Sequence, residues 1–188
     1  MAAITEDLGN ALLRYARSVL TNQFDKGKEV FIPDDPAFDH LGGVFVTLKK
    51  AGNLRGCIGN IEPIRSIKEG VAANVVSAAF HDTRFAPLSR EELEQVHISI
   101  SILTEPKPLV FNDTEELCSS LQKGVDGVIL RCGTSSATFL PQVWEQLPDT
   151  ELFLSHLSLK AGMSKDAWKS KNIDISTYQV QSFAEDQE

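Results

Sequence analysis

The chain has 188 residues, 42% of them apolar, and sets 18 lysines and arginines against 26 aspartates and glutamates, a formal charge of −8. A compact chain of this length has a radius of gyration of about 16 Å and buries roughly 70% of its unfolded surface, so a core forms without disulfides. The acid excess argues against a general nucleic-acid binder and against a protein of anionic membranes, since both need a dense lysine and arginine field.

The first residues, MAAITEDLGNALLRYARSVL, lack the continuous apolar core of a signal peptide. No apolar run approaches the ~20 residues that span a bilayer, so a soluble, cytoplasmic protein is expected. Cys57, Cys118 and Cys132 are odd in number and widely spaced, which fits reduced thiols better than a disulfide framework. His40, His81, His97 and His156 show no HxxxH or HExxH spacing, and no metal or cofactor is expected.

In chain order, Leu8, Leu12, Tyr15, Ala16, Val19, Leu20 and Phe24 recur at helical spacing, with Thr5 as N-cap. A long Asp-, Pro- and Gly-rich connection, FDKGKEVFIPDDPAFDHLGG, follows. GVFVTLKK and LRGCIGNI, separated by Ala51-Gly52-Asn53, predict a β-hairpin. A second helix runs through RSIKEGVAANVVSAAF, and Ser89 with Glu92 forms a capping box for a short third. HISISILTEP alternates strictly and predicts a strand with one polar face. A short helix at 114–121 precedes a second hairpin, DGVILRC and SATFLP. Pro141 suits a helical first turn, Thr150 an N-cap, Gly162 a stop, and Ser164 the cap of a further turn. STYQVQSF predicts one last strand before an acidic tail at 184–188. Hairpins interleaved with helices give an α+β fold with a mainly antiparallel sheet. With no repeat or linker visible, residues 1–188 are expected to form one domain, its core at about 5–184.

The segment Leu54-Arg55-Gly56-Cys57-Ile58-Gly59 carries the most chemistry. Within a strand Arg55 and Cys57 share a face, their Cα atoms about 7 Å apart, so the guanidinium can approach the sulfur and attract its thiolate. At about 5 Å that attraction is roughly 3.3 kcal/mol for an effective dielectric near 20. Gly56 and Gly59 have two readings. They let a ligand approach free backbone N–H donors, or they permit a bulge or a close crossing beside a buried Cys57. In AFHDTRFAPL, His81 and Asp82 offer the remaining parts of a Cys–His–Asp arrangement; alternatively, Asp82 and Arg84 form a turn ion pair, Phe85 fills the core and His81 is solvated. His97, with Ser99 and Ser101, lacks a nucleophile elbow and reads as structural, as do His156, Cys118 and Cys132. Lys160, Lys165, Lys169 and Lys171 form a small basic region, an anion site or a solvated surface.

The order LRGCIG, SAAFHDTRFAPLSREEL, ISISILTEPKPL, DGVIL, ATFLPQV and a late KAG resembles the AMMECR-type domain family, also called AmmeMemoRadiSam system protein A, over nearly the whole chain. The resemblance implies one α+β domain with a larger and a smaller lobe, LRGCIG lying beside the groove between them. Leu54 to Gly59 match the signature, and Asp82, Arg84 and Phe85 match a D-x-R-F element in which Thr83 replaces a common Pro. No reaction is implied. The association with Memo-like and radical S-adenosylmethionine proteins implies a shared pathway, although this chain lacks the CxxxCxxC needed to hold such a cluster. Two functions follow as expectations. One is an intracellular enzyme or enzyme subunit with a small anionic substrate, using Cys57, His81 and Asp82 for chemistry and Arg55, Gly56, Gly59 and Arg84 for binding. The other is a non-catalytic protein- or peptide-binding adaptor for a Memo-like or radical-SAM partner.

Overall fold

Thr5 opens the first helix as expected: its Oγ1 accepts a hydrogen bond from the Leu8 amide, and α1 runs Glu6–Phe24 with Leu12, Leu13, Ala16 and Leu20 buried. The computed structural model describes residues 4–185. Two strands follow the long connection, β1 (Gly43–Lys50) and β2 (Asn53–Asn60), joined by the expected tight turn. Helix α2 (Ile67–Phe80) starts at Ser66, whose side chain and that of Glu69 complete a capping box. The segment after Ser89 keeps its capping box but forms only a single 3₁₀ turn, Arg90–Glu92, not a helix. It leads directly into β3 (Val96–Leu103).

The chain divides into two compact units. The first is built from the chain up to Leu103 and from Gln181 onward. Its sheet has the order β2-β1-β3-β8, where β8 is Val180–Ala184, and β1 pairs antiparallel with both β2 and β3. Alternation along these strands sends Val44, Val46, Leu48, Ile98, Ile100 and Ile102 to one face, all fully or almost fully buried in a core with Leu12, Leu20, Val71 and Val75 of the helices. Thr47, Cys57, Ser99 and Ser101 line the opposite, half-buried face.

The second unit, Thr104–Val180, has its own sheet, ordered β4-β7-β5-β6, with β4 Lys107–Pro108, β5 Gly127–Cys132, β6 Ser135–Phe139 and β7 Asp174–Tyr178. Every pairing in it is antiparallel. Helices α3 (Thr114–Ser120) and α4 (Thr150–Lys160) complete it, and Trp144 stacks on Phe153 with ring centroids 3.7 Å apart in its core.

Several sequence expectations change. Asp149, not Thr150, caps α4, because its carboxylate accepts from the Leu152 amide and Thr150 is already helical. Pro141 and Ala167 open 3₁₀ turns, Pro141–Glu145 and Ala167–Lys169. The expected last strand is two strands in different sheets: β7 belongs to the second unit and β8 returns to the first, the chain switching at Gln179. Of the acidic tail, Asp186, Gln187 and Glu188 lie outside the described residues. Glu185 is bound: its carboxylate accepts from the Ile98 amide at 2.7 Å and from Arg17. No helix among the described residues is long and apolar enough to cross a membrane.

Candidate functional site

The hairpin sets the geometry. Thr47 lies opposite Cys57 and Phe45 opposite Gly59, but the register slips between Leu48, opposite Gly56, and Lys49, opposite Leu54. Arg55 is therefore the extra residue of a β-bulge. The expectation that Arg55 faces Cys57 depended on uninterrupted alternation, and the bulge removes that condition. The Arg55 guanidinium goes to Glu92 instead, Nε to Oε1 at 3.0 Å and Nη2 to Oε2 at 2.8 Å. Lys50 Nζ donates to the same Oε1 at 3.1 Å and the Ser89 amide to Oε2 at 3.2 Å. The Arg55 hydrogen bond is the main cause holding the Glu92 carboxyl down to about 2. With only 13% of its side chain exposed, Arg55 is the cation of a structural ion pair. Its Nη1 is buried without a hydrogen-bond partner among the described residues.

Asp82 occupies the centre of the site. Its side chain is 4% exposed, yet it accepts from the Cys57 amide at 2.9 Å, from Arg84 Nε at 2.9 Å and Nη2 at 2.7 Å, and from the Arg84 amide at 3.2 Å. The Arg84 hydrogen bond, opposed by burial and assisted by the two amides, holds this carboxyl well below the usual carboxylate range. Arg84 Nη2 also reaches the Cys57 carbonyl at 3.3 Å. Two elements distant in sequence, the strand with LRGCIG and the turn with D-x-R-F, are thus joined by one buried carboxylate. Four donors on two oxygens leave Asp82 no role as a general base.

The Cys57 sulfur is half-buried and accepts from the Thr47 hydroxyl at 3.3 Å. Because both main-chain groups of Cys57 turn away from β1, Thr47 and Cys57 form a non-hydrogen-bonded pair, the kind in which facing side chains come closest. His81 caps the C-terminus of α2 through its amide, which donates to the Ser77 carbonyl, and its side chain is exposed. Among the described residues no hydrogen bond or ion pair links the imidazole to Cys57 or Asp82. The Cys–His–Asp arrangement is therefore not assembled in this structure.

Both glycines sit where a side chain would collide. A Cβ on Gly56 would lie 2.1 Å from the carbonyl oxygen of Ala78, where the end of α2 crosses the strand, and one on Gly59 would lie 2.3 Å from the Phe45 ring. Close crossing accounts for both residues without any ligand. Phe85 is half-buried between the two arginines, its ring centroid 5.9 Å from Arg55 Cζ and 5.5 Å from Arg84 Cζ.

The structure therefore brings together Cys57, Asp82 and Arg84, redirects Arg55 to Glu92 and leaves His81 outside. Glu92 and Thr47 complete the site and were not foreseen in these roles. A signal existed for the first: Lys50 and Arg55 flank a hairpin turn without an acid of its own, so their counter-charge had to come from elsewhere. Of the late lysines, Lys160 donates to the Thr138 carbonyl and Lys169 lies near Glu151 and Asp166, local pairings rather than a shared anion site. His156, expected to be structural, is exposed on α4.

A model of the AMMECR1 family matches residues 13–183. A protein of Methanothermobacter thermautotrophicus is 36% identical over 188 residues, covering 98% of each chain. One of Methanopyrus kandleri is 37% identical over 195 residues, 98% of this chain and 91% of that one. The crystal structure of an uncharacterised protein from Pyrococcus horikoshii matches with a TM-score of 0.87 at 32% identity, over 97% of this chain and 94% of the other. Family model, full-length identity and shared fold agree, and the chain belongs to the AMMECR1 family.

Proposed function

We propose that this chain binds a small anionic ligand beside Cys57, with Arg84 as the cation that receives it. The observation that carries this reading is the unequal state of the two signature arginines. Arg55 is 13% exposed and its charge is met by Glu92, whereas Arg84, fixed by Asp82 through Nε and Nη2, keeps 54% of its side chain open. A guanidinium held rigid from one side and open on the other loses little entropy on taking a carboxylate or phosphate. Asp82 is the positioning residue, since it fixes both Arg84 and the Cys57 amide. Cys57 is the contact through which binding can be read. A nucleophilic role for it has less support, because Thr47 donates to the sulfur, Asp82 is engaged by Arg84, and His81 is exposed and, among the described residues, makes no hydrogen bond to the sulfur.

The test uses inorganic phosphate as probe and iodoacetamide labelling of Cys57 as readout, with Cys118 and Cys132 as internal references. Phosphate is expected to slow Cys57 labelling several-fold in the parent chain, not in Arg84→Ala, and partly in Arg84→Lys. Equal labelling of Cys57 with and without phosphate, in parent and variant alike, overturns the reading.

A further inference from the structure

Among the described residues, strand β2 is the last strand of its sheet, with β1 on one side and no strand on the other. Such an edge presents outward-facing N–H and C=O groups that a further strand can bind. At Cys57 these groups are already taken, but by side chains. The Asp82 carboxylate accepts the Cys57 N–H at 2.9 Å, as the carbonyl of a neighbouring strand would, and Arg84 Nη2 donates to the Cys57 C=O at 3.3 Å, as that strand's amide would. The two side chains hold each other at 2.7 Å, so they act as one body. Two residues earlier the bulge at Arg55 breaks the regular ladder, a second feature that disfavours strand addition at this edge.

We infer that the Asp82–Arg84 pair is an edge guard: it occupies the outward main-chain groups at the middle of β2, through which the strand would pair with β2 of a second copy of this chain, and so keeps the sheet from extending between molecules. The occupant follows from the sequence of the strand. LRGCIGN has one charged residue, and Arg55 is drawn away to Glu92, so two such strands meet without facing like charges. The inference rests on hydrogen-bond geometry and not on anion binding at Arg84. Its readouts, amide exchange and molar mass, involve no ligand, so the two readings fail separately.

Hydrogen exchange on the intact parent tests the geometry first. The Cys57 amide is expected to exchange at least tenfold more slowly than the Gly59 amide, which the alternation places on the same edge. Light scattering across a range of concentrations then tests the consequence. Asp82→Ala is expected to raise Cys57 exchange at least tenfold and to give a concentration-dependent increase in mass over the parent. Adding Leu54→Lys, at an exposed position of the same strand, is expected to reverse that increase. Arg84→Ala, which keeps the Asp82 bond to the amide, reports on the carbonyl half if Asp82→Ala fails to fold, and is expected to shift mass in the same direction. A Cys57 amide that exchanges as fast as Gly59, or variants whose mass stays at the parent's value at every concentration, overturns the inference. So does association that Leu54→Lys leaves unchanged.

Discussion

Gly56 shows how a single position links sequence to the site. Its missing side chain lets the Ala78 carbonyl come within 2.1 Å of where a Cβ would stand, and that carbonyl belongs to the end of α2, immediately before Asp82 and Arg84. Gly56→Ala forces backbone against backbone, which cannot give way as a flexible side chain can. A loss of about 3 kcal/mol is expected, at the upper end for overpacking, measured as a lower denaturant midpoint. Glu92 gives a second test at this scale. Its folded carboxyl sits at about 2 against an ordinary 4.5, so the stability it contributes is full above pH 4.5 and is lost as pH falls through about 2. Glu92→Gln removes that dependence. Between pH 4.5 and 2 the variant is expected to lose less stability than the parent, while at pH 7 it is less stable because Arg55 keeps a buried guanidinium without its counter-charge.

Among the elements, the β1–β2 hairpin is the most legible from sequence and also the one that departs from expectation where it matters. Its ends were readable because GVFVTLKK and LRGCIGNI flank Ala-Gly-Asn, and a Gly in a short loop signals a tight turn. The turn carries a strained residue, since Ala51 has φ +47 beside Gly52 at φ +78. Asn tolerates this left-handed region better than Ala, and Asn-Gly is the preferred pair for such turns. Ala51→Asn is expected to stabilise the chain by about 1 kcal/mol, seen as a higher melting temperature with no change at the site. The glycines of LRGCIG allowed a bulge but did not place it at Arg55, because the register is decided by which side chains of β1 and which acid of the following turn meet the strand. The 3₁₀ turn at Arg90–Glu92 has the same cause: the capping box was correctly read, but Glu92 is committed to Lys50 and Arg55, and the chain enters β3 within a few residues.

At the scale of the whole molecule, the first unit is discontinuous, open at Leu103 and closed again from Gln181. An ionic contact joins the pairing of β8 with β3 and the burial of Phe183 in closing it. Arg17 on α1 donates to the Leu93 carbonyl at 2.8 Å and the Val96 carbonyl at 2.7 Å, and binds Glu185, whose carboxylate also takes the Ile98 amide at 2.7 Å. Glu185→Ala is expected to cost about 2 kcal/mol, the penalty for leaving the Ile98 amide without its acceptor and Arg17 without its counter-charge, and to raise exchange in β3 and β8 more than in β5 and β7. Uniform loosening of both sheets would show that closure does not depend on this contact. The sequence had presented the same residue as the first acid of the tail, because an acid after the last strand signal carries no mark of a partner 168 positions away.

What the sequence by itself determined is what repeats locally: the alternation in β1 and β3, the helical spacing of α1 and α2, the caps at Thr5 and Ser66, and the ordered motifs that identify the family. These depend on neighbours one to four residues apart, and hydrophobic burial rewards them in any compact chain. Only the tertiary structure decided which charges meet. It gave Arg55 to Glu92, set Asp82 and Arg84 on Cys57, left His81 in solvent and divided the final strand between two sheets. Such pairings join positions far apart in sequence, and a charged side chain has several possible partners of similar worth. Burial and geometry choose among them, and neither is written in local order.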